Sequence, residues 1–361
     1  MLNRIRCEYC NKPIKLHNIE ENYEYKCPQC ENIVYRPGAS RFVVFSLAFT
    51  STLLLFWTLF APLLNVKILN DIQLSMYDTL VIFFQNDSLS GVFILLTIVL
   101  IPILLNVITI MILFYNRLQL SSSSLKKLVR TYLFIKEWNM IEVCFLGLLI
   151  ALIKLYEISE VNLLIGFWIN LLYVVVLYIN MLVFNPLDFA NIKKRQAIKN
   201  NMKKTVALFL LLAVIFIPPS NILPMMPTYK YSVTYDNTIM DGITTFWNQG
   251  EVIIPIIIFL ASICIPILKI VGLIIMLIMG KFQVLLRFRK FATKYYIITD
   301  KIGKYSLLDI YVVVFASAYI QYDDLVRIGV GEAIIPFGMV VIFTMIASKN
   351  FDTRILWRKN V

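Results

Sequence analysis

Long apolar runs separated by short polar segments dominate the sequence. Eight of these runs are close to the roughly 20 residues that an α-helix needs to cross a bilayer. The run at 306–321 is short and needs polar flanks to complete a span. The eight predicted spans cover residues 42–64, 91–115, 139–156, 163–184, 205–224, 252–280, 306–321 and 331–348.

The composition supports a membrane protein. Hydrophobic residues make up 59% of the 361 residues and charged residues only 16%, whereas soluble domains carry about 25% charged residues. The N-terminal segment 1–41 is polar and contains no apolar core, so we expect no signal peptide. We therefore predict an all-α polytopic membrane protein with small aqueous parts.

Basic residues are distributed unevenly between alternate loops. One set of loops contains only Lys67, Lys230 and Arg327. Nearly all the other lysines and arginines lie in the other set, which comprises segment 1–41, loops 116–137, 186–204 and 281–304, and the C-terminal tail. The positive-inside rule then places both termini in the cytoplasm, in agreement with an even number of spans. Because the basic loops are short, we expect anionic lipid beside them rather than nucleic acid.

Four cysteines near the N-terminus have the spacing of a zinc module. Cys7, Cys10, Cys27 and Cys30 form the pattern C-x2-C-x16-C-x2-C. Each pair places two thiolates on one tight turn, and two turns complete a tetrahedron around Zn²⁺. A cytoplasmic location disfavours disulfides. Four cysteine ligands leave no open position for a substrate, so we predict a structural zinc ribbon, with a redox centre as the alternative.

Two copies of one unit follow the predicted ribbon. Four pairs of segments match, namely 78–86 with 241–249, 101–104 with 265–268, 138–143 with 305–310, and 184–186 with 351–353. Four spans in each unit would give both copies the same orientation, as in a parallel repeat. The predicted domains are the ribbon (1–41), a first four-span repeat (42–185), a basic cytoplasmic linker (186–204) and a second four-span repeat with the tail (205–361).

Lys269 is the only charged residue between Val252 and Gly280. An ionisable group at bilayer depth costs roughly 3 kcal/mol or more, so it either extends to the interface or serves a function. Pro266 lies three residues earlier and permits a kink that would line a polar cavity. Asp309, near the start of the next span, is the expected partner of Lys269, unless it only meets the dipole of its own helix.

A lysine–aspartate pair would bind a lipid phosphate or, as a weaker hypothesis, couple movement to protons. Ser306 either caps the helix of Asp309 or adds a hydroxyl to the cavity. Lys154, near the outer end of its span, is expected as an interfacial anchor. In the first unit Glu142 matches Asp309, whereas Leu105 matches Lys269. The candidate intramembrane site comprises Lys269, Asp309, Ser306, Glu142 and Lys154, with helix breaks at Pro266 and Pro102.

Motifs of catalysis do not occur in the sequence. It has no Walker A motif or dinucleotide-binding glycine pattern. The single histidine lies within the ribbon, so the spans cannot form a Ser/His/Asp triad. We therefore expect that the protein is not an enzyme.

Several longer stretches carry a family resemblance. They are CEYC and CPQC in the ribbon, SNILPMM at 220–226, WNQGEVIIPIIIFLASICIPILKIVGL at 247–273, YSLLDIYVVV at 305–314 and MIASKNFDTRILW at 345–357. On these stretches the chain resembles, over nearly its whole length, the paraquat-inducible protein A family of bacterial inner-membrane proteins, the PqiA and LetA type. That family often has a second CxxC pair set before its second half, which this chain lacks.

The resemblance implies a role in phospholipid transport. Members of the family are associated with MCE-domain proteins that form hydrophobic tunnels across the periplasm, and this chain would load lipid into the tunnel or receive it. Two alternatives remain open. A structural anchor would hold the tunnel without handling lipid, and an exporter of small solutes or drugs would work without a periplasmic partner.

Overall fold

The protein is mostly helical, as seen in a computed structural model. It describes all residues except 1–3, 16–23, 68–70, 87, 120, 157–159, 190–201, 231–232, 249, 251, 283–285, 320, 323–325 and 358–361. The helices are α1 (Arg41–Phe60), α2 (Met76–Asn86), α3 (Ser88–Ile94), α4 (Ile101–Leu113), α5 (Ser122–Glu137), α6 (Ile141–Tyr156), α7 (Ile165–Val183), α8 (Met202–Ile222), α9 (Ile239–Asn248), α10 (Ile253–Phe259), α11 (Ile265–Phe282), α12 (Arg289–Ile302), α13 (Leu308–Tyr319) and α14 (Ile334–Asn350).

Short strands form the rest of the regular structure. They are β1 (Arg4–Arg6), β2 (Pro13–Lys15), β3 (Tyr25–Lys26), β4 (Ile33–Tyr35), β5 (Pro62–Lys67), β6 (Asp71–Ser75), β7 (Glu160–Leu163), β8 (Met226–Lys230), β9 (Val233–Asn237), β10 (Gln321–Tyr322) and β11 (Val326–Ile328). The pairs β1–β2 and β3–β4 belong to the ribbon, while β6-β5-β7 and β10-β11-β8-β9 form two antiparallel sheets.

Six helical stretches in the described part of the chain are long and apolar enough to cross a membrane. They are Arg41–Phe60, Gly91–Leu113, Ile165–Asp188, Met202–Ile222, Pro255–Phe282 and Arg289–Tyr319. The predicted runs at 139–156 and 331–348 coincide with α6 and α14, which have 16 and 17 residues. The chain is thus a multi-pass membrane protein, and the count of eight spans stays a prediction.

The all-α prediction was incomplete because it missed both larger sheets. Strand β7 pairs with β5, and β11 pairs with β8, each across about a hundred residues of sequence. No local pattern reveals such distant pairing. The polar loops 116–137 and 281–304 also contain the amphipathic helices α5 and α12, because each buries an apolar face against the domain.

The molecule has a ribbon side and a sheet side. Helix α1 begins next to the ribbon, and α7 ends there, since the Ala39 amide donates to the Val183 carbonyl at 2.9 Å. The two sheets lie at the opposite end of the helices: one begins directly after α1 and the other after α8. We use these two names below for the two ends of the helical domain.

The two halves of the chain pack together through α6 and α13. Every residue of α13 is buried. At the crossing the backbones come so close that a Cβ at Gly147 would overlap the Cβ of Tyr311. Glycine is required here because it lacks a Cβ.

Corresponding elements occur in the same order in both halves. Helix α1 packs along α7, and α8 packs along α14. A π-helical segment lies directly before each IPIL sequence, at Leu95–Leu100 and Leu260–Cys264. Each hairpin leads into a capped helix: Ser75 with Asp78 caps α2, and Thr238 with Asp241 caps α9.

Candidate functional site

The ribbon brings together the four predicted cysteines. Their Sγ atoms all lie within 4.8 Å of one another, and all four residues are buried. Each CxxC pair lies on a tight turn closed by the residue four positions after its first cysteine. These residues are Asn11 (φ 63) and Glu31 (φ 61), whose amides donate to the carbonyls of Cys7 and Cys27. Two equivalent turns therefore face each other.

This arrangement fits a tetrahedral zinc site. Four sulfur ligands at about 2.3 Å from Zn²⁺ require sulfurs a little under 4 Å apart, and the Cys7–Cys30 and Cys10–Cys27 Sγ atoms are each 3.5 Å apart. Burial raises the pKa of the Cys7 thiol to about 12. The donor set would hold zinc as a structural ion, because all four positions of a tetrahedron are filled.

Lys269 lies in α11 and is 3% exposed. Its ammonium rests against Gly303, where an added Cβ would lie 2.5 Å from Nζ. Among charged groups, the Asp300 carboxylate attracts this ammonium and the Lys349 ammonium repels it. Lys269 therefore belongs to the packing between α11 and the end of α12.

Asp309 lies elsewhere, and the predicted Lys269–Asp309 pair is not among the ion pairs of the described residues. Asp309 lies in the first turn of α13, beside Ile258. Ile258 precedes Lys269 by eleven residues of one helical run, which corresponds to about 16 Å along the axis. The sequence misled because α12 already enters the domain before α13 begins, which displaces Asp309 toward the sheet side.

Asp309 contributes to a small cavity of about 50 Å³ between α9, α10 and α13. The other lining residues include the apolar side chains of Met225, Ile239, Ile258, Val312 and Val313. Gly242 of α9 lines it too, and a Cβ there would meet nothing within 4 Å. Asp309 itself is 5% exposed, and among the described residues that line this cavity it is the charged one.

The remaining predicted residues are dispersed. Ser306 is buried in the 3₁₀ turn before α13. Glu142 pairs with Lys304 across the two halves. The side chain of Lys154 lies outside the described structure, and its backbone belongs to α6. Pro102 and Pro266 are the second residues of α4 and α11, just after the two π-helical segments. The helices continue through both prolines, with a wider turn before each.

Sequence reasoning missed Gly242, Gly303 and Asp300, and only the two glycines had a usable signal. By the matched segments, Gly242 corresponds to Thr79, and Gly303 corresponds to Lys136. A loss of side chain at a matched position indicates that the copies differ in packing there. Asp300 lies in a predicted loop and gave no signal.

Comparison with known proteins gives consistent results. The family profile described as Paraquat-inducible protein A matches residues 43–190 and 202–360. The chain is 24% identical to Intermembrane transport protein PqiA of Escherichia coli (strain K12), over 98% of this chain and 95% of that protein. It is 23% identical to Lipophilic envelope-spanning tunnel protein A of the same organism, over 98% of this chain and 90% of that protein. A Probable intermembrane transport protein of Haemophilus influenzae is 25% identical over 41% of this chain. No solved structure matches.

Proposed function

This chain belongs to the paraquat-inducible protein A family, and from that membership we propose that it is the inner-membrane component of a phospholipid transport system between bacterial membranes. Its partner would be a periplasmic MCE-domain protein, with both termini of this chain in the cytoplasm. The names of the two full-length relatives, intermembrane transport and an envelope-spanning tunnel, support the proposal. We assign no catalytic step to the chain.

We also propose the architecture of two four-span repeats, 42–185 and 205–361, joined by the linker 186–204. The family profile matches two consecutive segments, and corresponding elements recur in order in the two halves, which supports this division. Residues 190–201 of the linker lie outside the described structure. The ribbon, 1–41, would be a separate zinc module.

The observation that carries the function is the cavity on the sheet side of the second half. Its walls are mostly methionine, isoleucine and valine side chains, with Asn237 and Thr238 among them. One buried carboxylate, Asp309, adds a charged group. We propose that one part of a lipid enters this small cavity on its way to or from the partner, and that Asp309 contacts a polar group of that lipid. Lys269, which does not line the cavity, would instead stabilise the packing of α11 on α12.

Filling the cavity tests this function directly. Gly242→Leu should place a side chain in open space, so the protein should fold normally but retain less phospholipid per chain in native mass spectrometry. Gly242→Ala is the matched control, since alanine stabilises a helix by about 0.5–1 kcal/mol over glycine and fills little of the space. If both variants retain and transfer lipid like the unmodified protein, the cavity is not the lipid site.

Neutralising Asp309 tests the polar end. Asp309→Asn should reduce phospholipid transfer about tenfold, the loss of one hydrogen bond to a charged group. Asp241→Asn is the control, because that carboxylate only caps α9 and is not part of the cavity lining. If the chain is only a structural anchor for the tunnel, phospholipid transfer should be unchanged in both variants. An exporter predicts activity on soluble substrates when the MCE-domain protein is absent.

A further inference from the structure

The zinc ribbon contacts both halves of the helical domain on the ribbon side. On the first half, the Arg36 carbonyl accepts from Asn185 Nδ2 at 2.8 Å, and the Gly38 amide donates to Asp188 Oδ2 at 3.2 Å. On the second half, the Tyr9 carbonyl accepts from Thr353 Oγ1 at 2.9 Å. The ribbon therefore bridges two parts of the chain that are 150 residues or more apart in sequence.

The ribbon also contacts α12. Glu31 forms ion pairs with Lys290 and with Lys294, the second at 2.7 Å. Trp357 packs against the cysteine cluster, and its Nε1 donates to Thr293 Oγ1 at 3.1 Å. The Arg289 guanidinium lies over the same indole ring, 4.5 Å from its centre. Four residues in the first two turns of α12 thus contact the ribbon or the tail residue beside it.

Helix α12 in turn determines the surroundings of Lys269. The Tyr295 hydroxyl donates to the Leu268 carbonyl at 2.6 Å. Asp300, the acid that attracts the Lys269 ammonium, accepts from Ser348 Oγ at 2.6 Å. The helix ends just before Gly303, and the Lys269 ammonium lies against this glycine. A shift of α12 would therefore move both Gly303, which the Lys269 ammonium contacts, and the Asp300 carboxylate, which attracts it.

The contacts of the ribbon depend on its cysteine turns. Glu31 has φ 61 because it closes the turn that starts at Cys27. Residues other than glycine rarely adopt this backbone conformation without such a constraint. The ribbon strands have two or three residues each. Among the described residues, those that pack against the four cysteines are Tyr9, Ile14, Val34 and Trp357. So small a core is not stable without a bound metal.

We propose that the ribbon is a zinc-dependent clamp that holds α12 in place and so sets the position of Lys269. Zinc would act on the membrane domain through Glu31, Tyr9 and Trp357, although it lies outside the spans. The coupling itself is independent of the proposed function; only its consequence, that zinc availability regulates lipid transport, rests on it.

Hydrogen exchange of the full-length protein in detergent tests the clamp. Removing zinc with a chelator should accelerate exchange of peptides from α12 and from 351–357 by about tenfold or more, with α2 and α9 on the sheet side unchanged. Adding zinc back should restore protection. Exchange that accelerates only within the ribbon would overturn the proposal.

A pair of ribbon variants separates the clamp from general loss of the ribbon. Glu31→Gln should keep one zinc per chain yet accelerate exchange of α12 about twofold to fivefold, the effect of losing exposed ion pairs. Glu24→Gln is the matched control, since Glu24 pairs with Arg36 inside the ribbon, and it should leave α12 unchanged. Equal exchange of α12 in the two variants would contradict the proposal. Accelerated exchange together with unaffected Asp309→Asn transfer would keep the clamp and reject the lipid function.

Discussion

The two halves of the helical domain have corresponding elements in the same order, but different side chains pack between those elements. Helix α2 of the first half packs tightly on α13 of the second half: Thr79 contacts the Tyr319 hydroxyl at 3.2 Å, and Phe83 meets Phe315 edge-on. In the second half, Gly242 replaces the residue that matches Thr79, and a cavity opens beside α9. One half is a closed scaffold, whereas the other holds the candidate site.

The buried polar groups differ in the same way. The first half contains a neutral cluster in which Asn106 donates to Ser51 at 2.8 Å and receives a bond of 3.5 Å from Asn180. The matched segments place Ile270 and Ala347 at the positions of the two asparagines. The second half instead contains the buried Lys269, where the first half has Leu105, whereas Asp309 has a matching acid in Glu142. Exchanges at a few positions therefore give the two copies different buried polar groups.

The largest expected effect concerns the contact that joins the halves. Gly147→Ala should destabilise the protein by about 1–3 kcal/mol, because the new Cβ overlaps Tyr311 and neither backbone can yield. The measurement is the thermal unfolding midpoint in detergent. Gly338→Ala is the control, since its Cβ would lie an ordinary 3.5 Å from Ile310. A Gly147→Ala midpoint no lower than that of the control would show that the halves do not meet as described.

A smaller effect is expected at a helix contact to which the first half contributes Lys136 and the second half contributes Lys269. In the first half, Lys136 lies on the position that matches Gly303, and Leu105 lies on the position that matches Lys269. Gly303→Ala should therefore cost about 1–2 kcal/mol, because the Lys269 ammonium must move. Adding Lys269→Leu should recover most of this loss.

A double-mutant cycle on thermal stability measures that exchange. The coupling between the two substitutions should reach at least about 0.5 kcal/mol, as for residues in contact. If the losses of the two single variants simply add, Gly303 and Lys269 do not share one site. In that case Lys136 of the first half and Lys269 of the second half would not fill equivalent space between facing helices.

The smallest effect concerns the capped helices on the sheet side. The backbone amide of Thr238, with its hydroxyl, lowers the pKa of Asp241. A folded-state pKa below the unfolded value of about 3.9 means that this stabilisation is complete above pH 4 and is lost as the pH falls further. Because the carboxylate is largely exposed, the loss should be below about 1 kcal/mol.

Exchange of peptides from α9 between pH 5 and pH 3, corrected for the intrinsic rate, measures this effect. Protection of α9 should fall in the unmodified protein. Asp241→Asn should show lower protection at pH 5 and no further loss on acidification. A pH response that survives in Asp241→Asn would assign the titration to another group.

The sequence by itself determined the features that depend on local patterns. Apolar runs located the helices, because burying backbone in lipid requires continuous apolar segments. The spacing of Cys7, Cys10, Cys27 and Cys30 determined the metal module, because four ligands on two turns need nothing from the rest of the chain. Matched segments such as IPIL indicated the two copies, and the capping pairs followed the same register.

Tertiary structure alone decided which of these residues meet. Hydropathy could not distinguish a polar loop from an amphipathic helix that enters the domain, and so it placed Asp309 beside Lys269. The partners of Lys269 are Gly303 and Asp300, and neither is marked by composition or periodicity. Gly242 lines the cavity where three helices converge. Such a space is a property of packing between distant segments, and no local pattern encodes it.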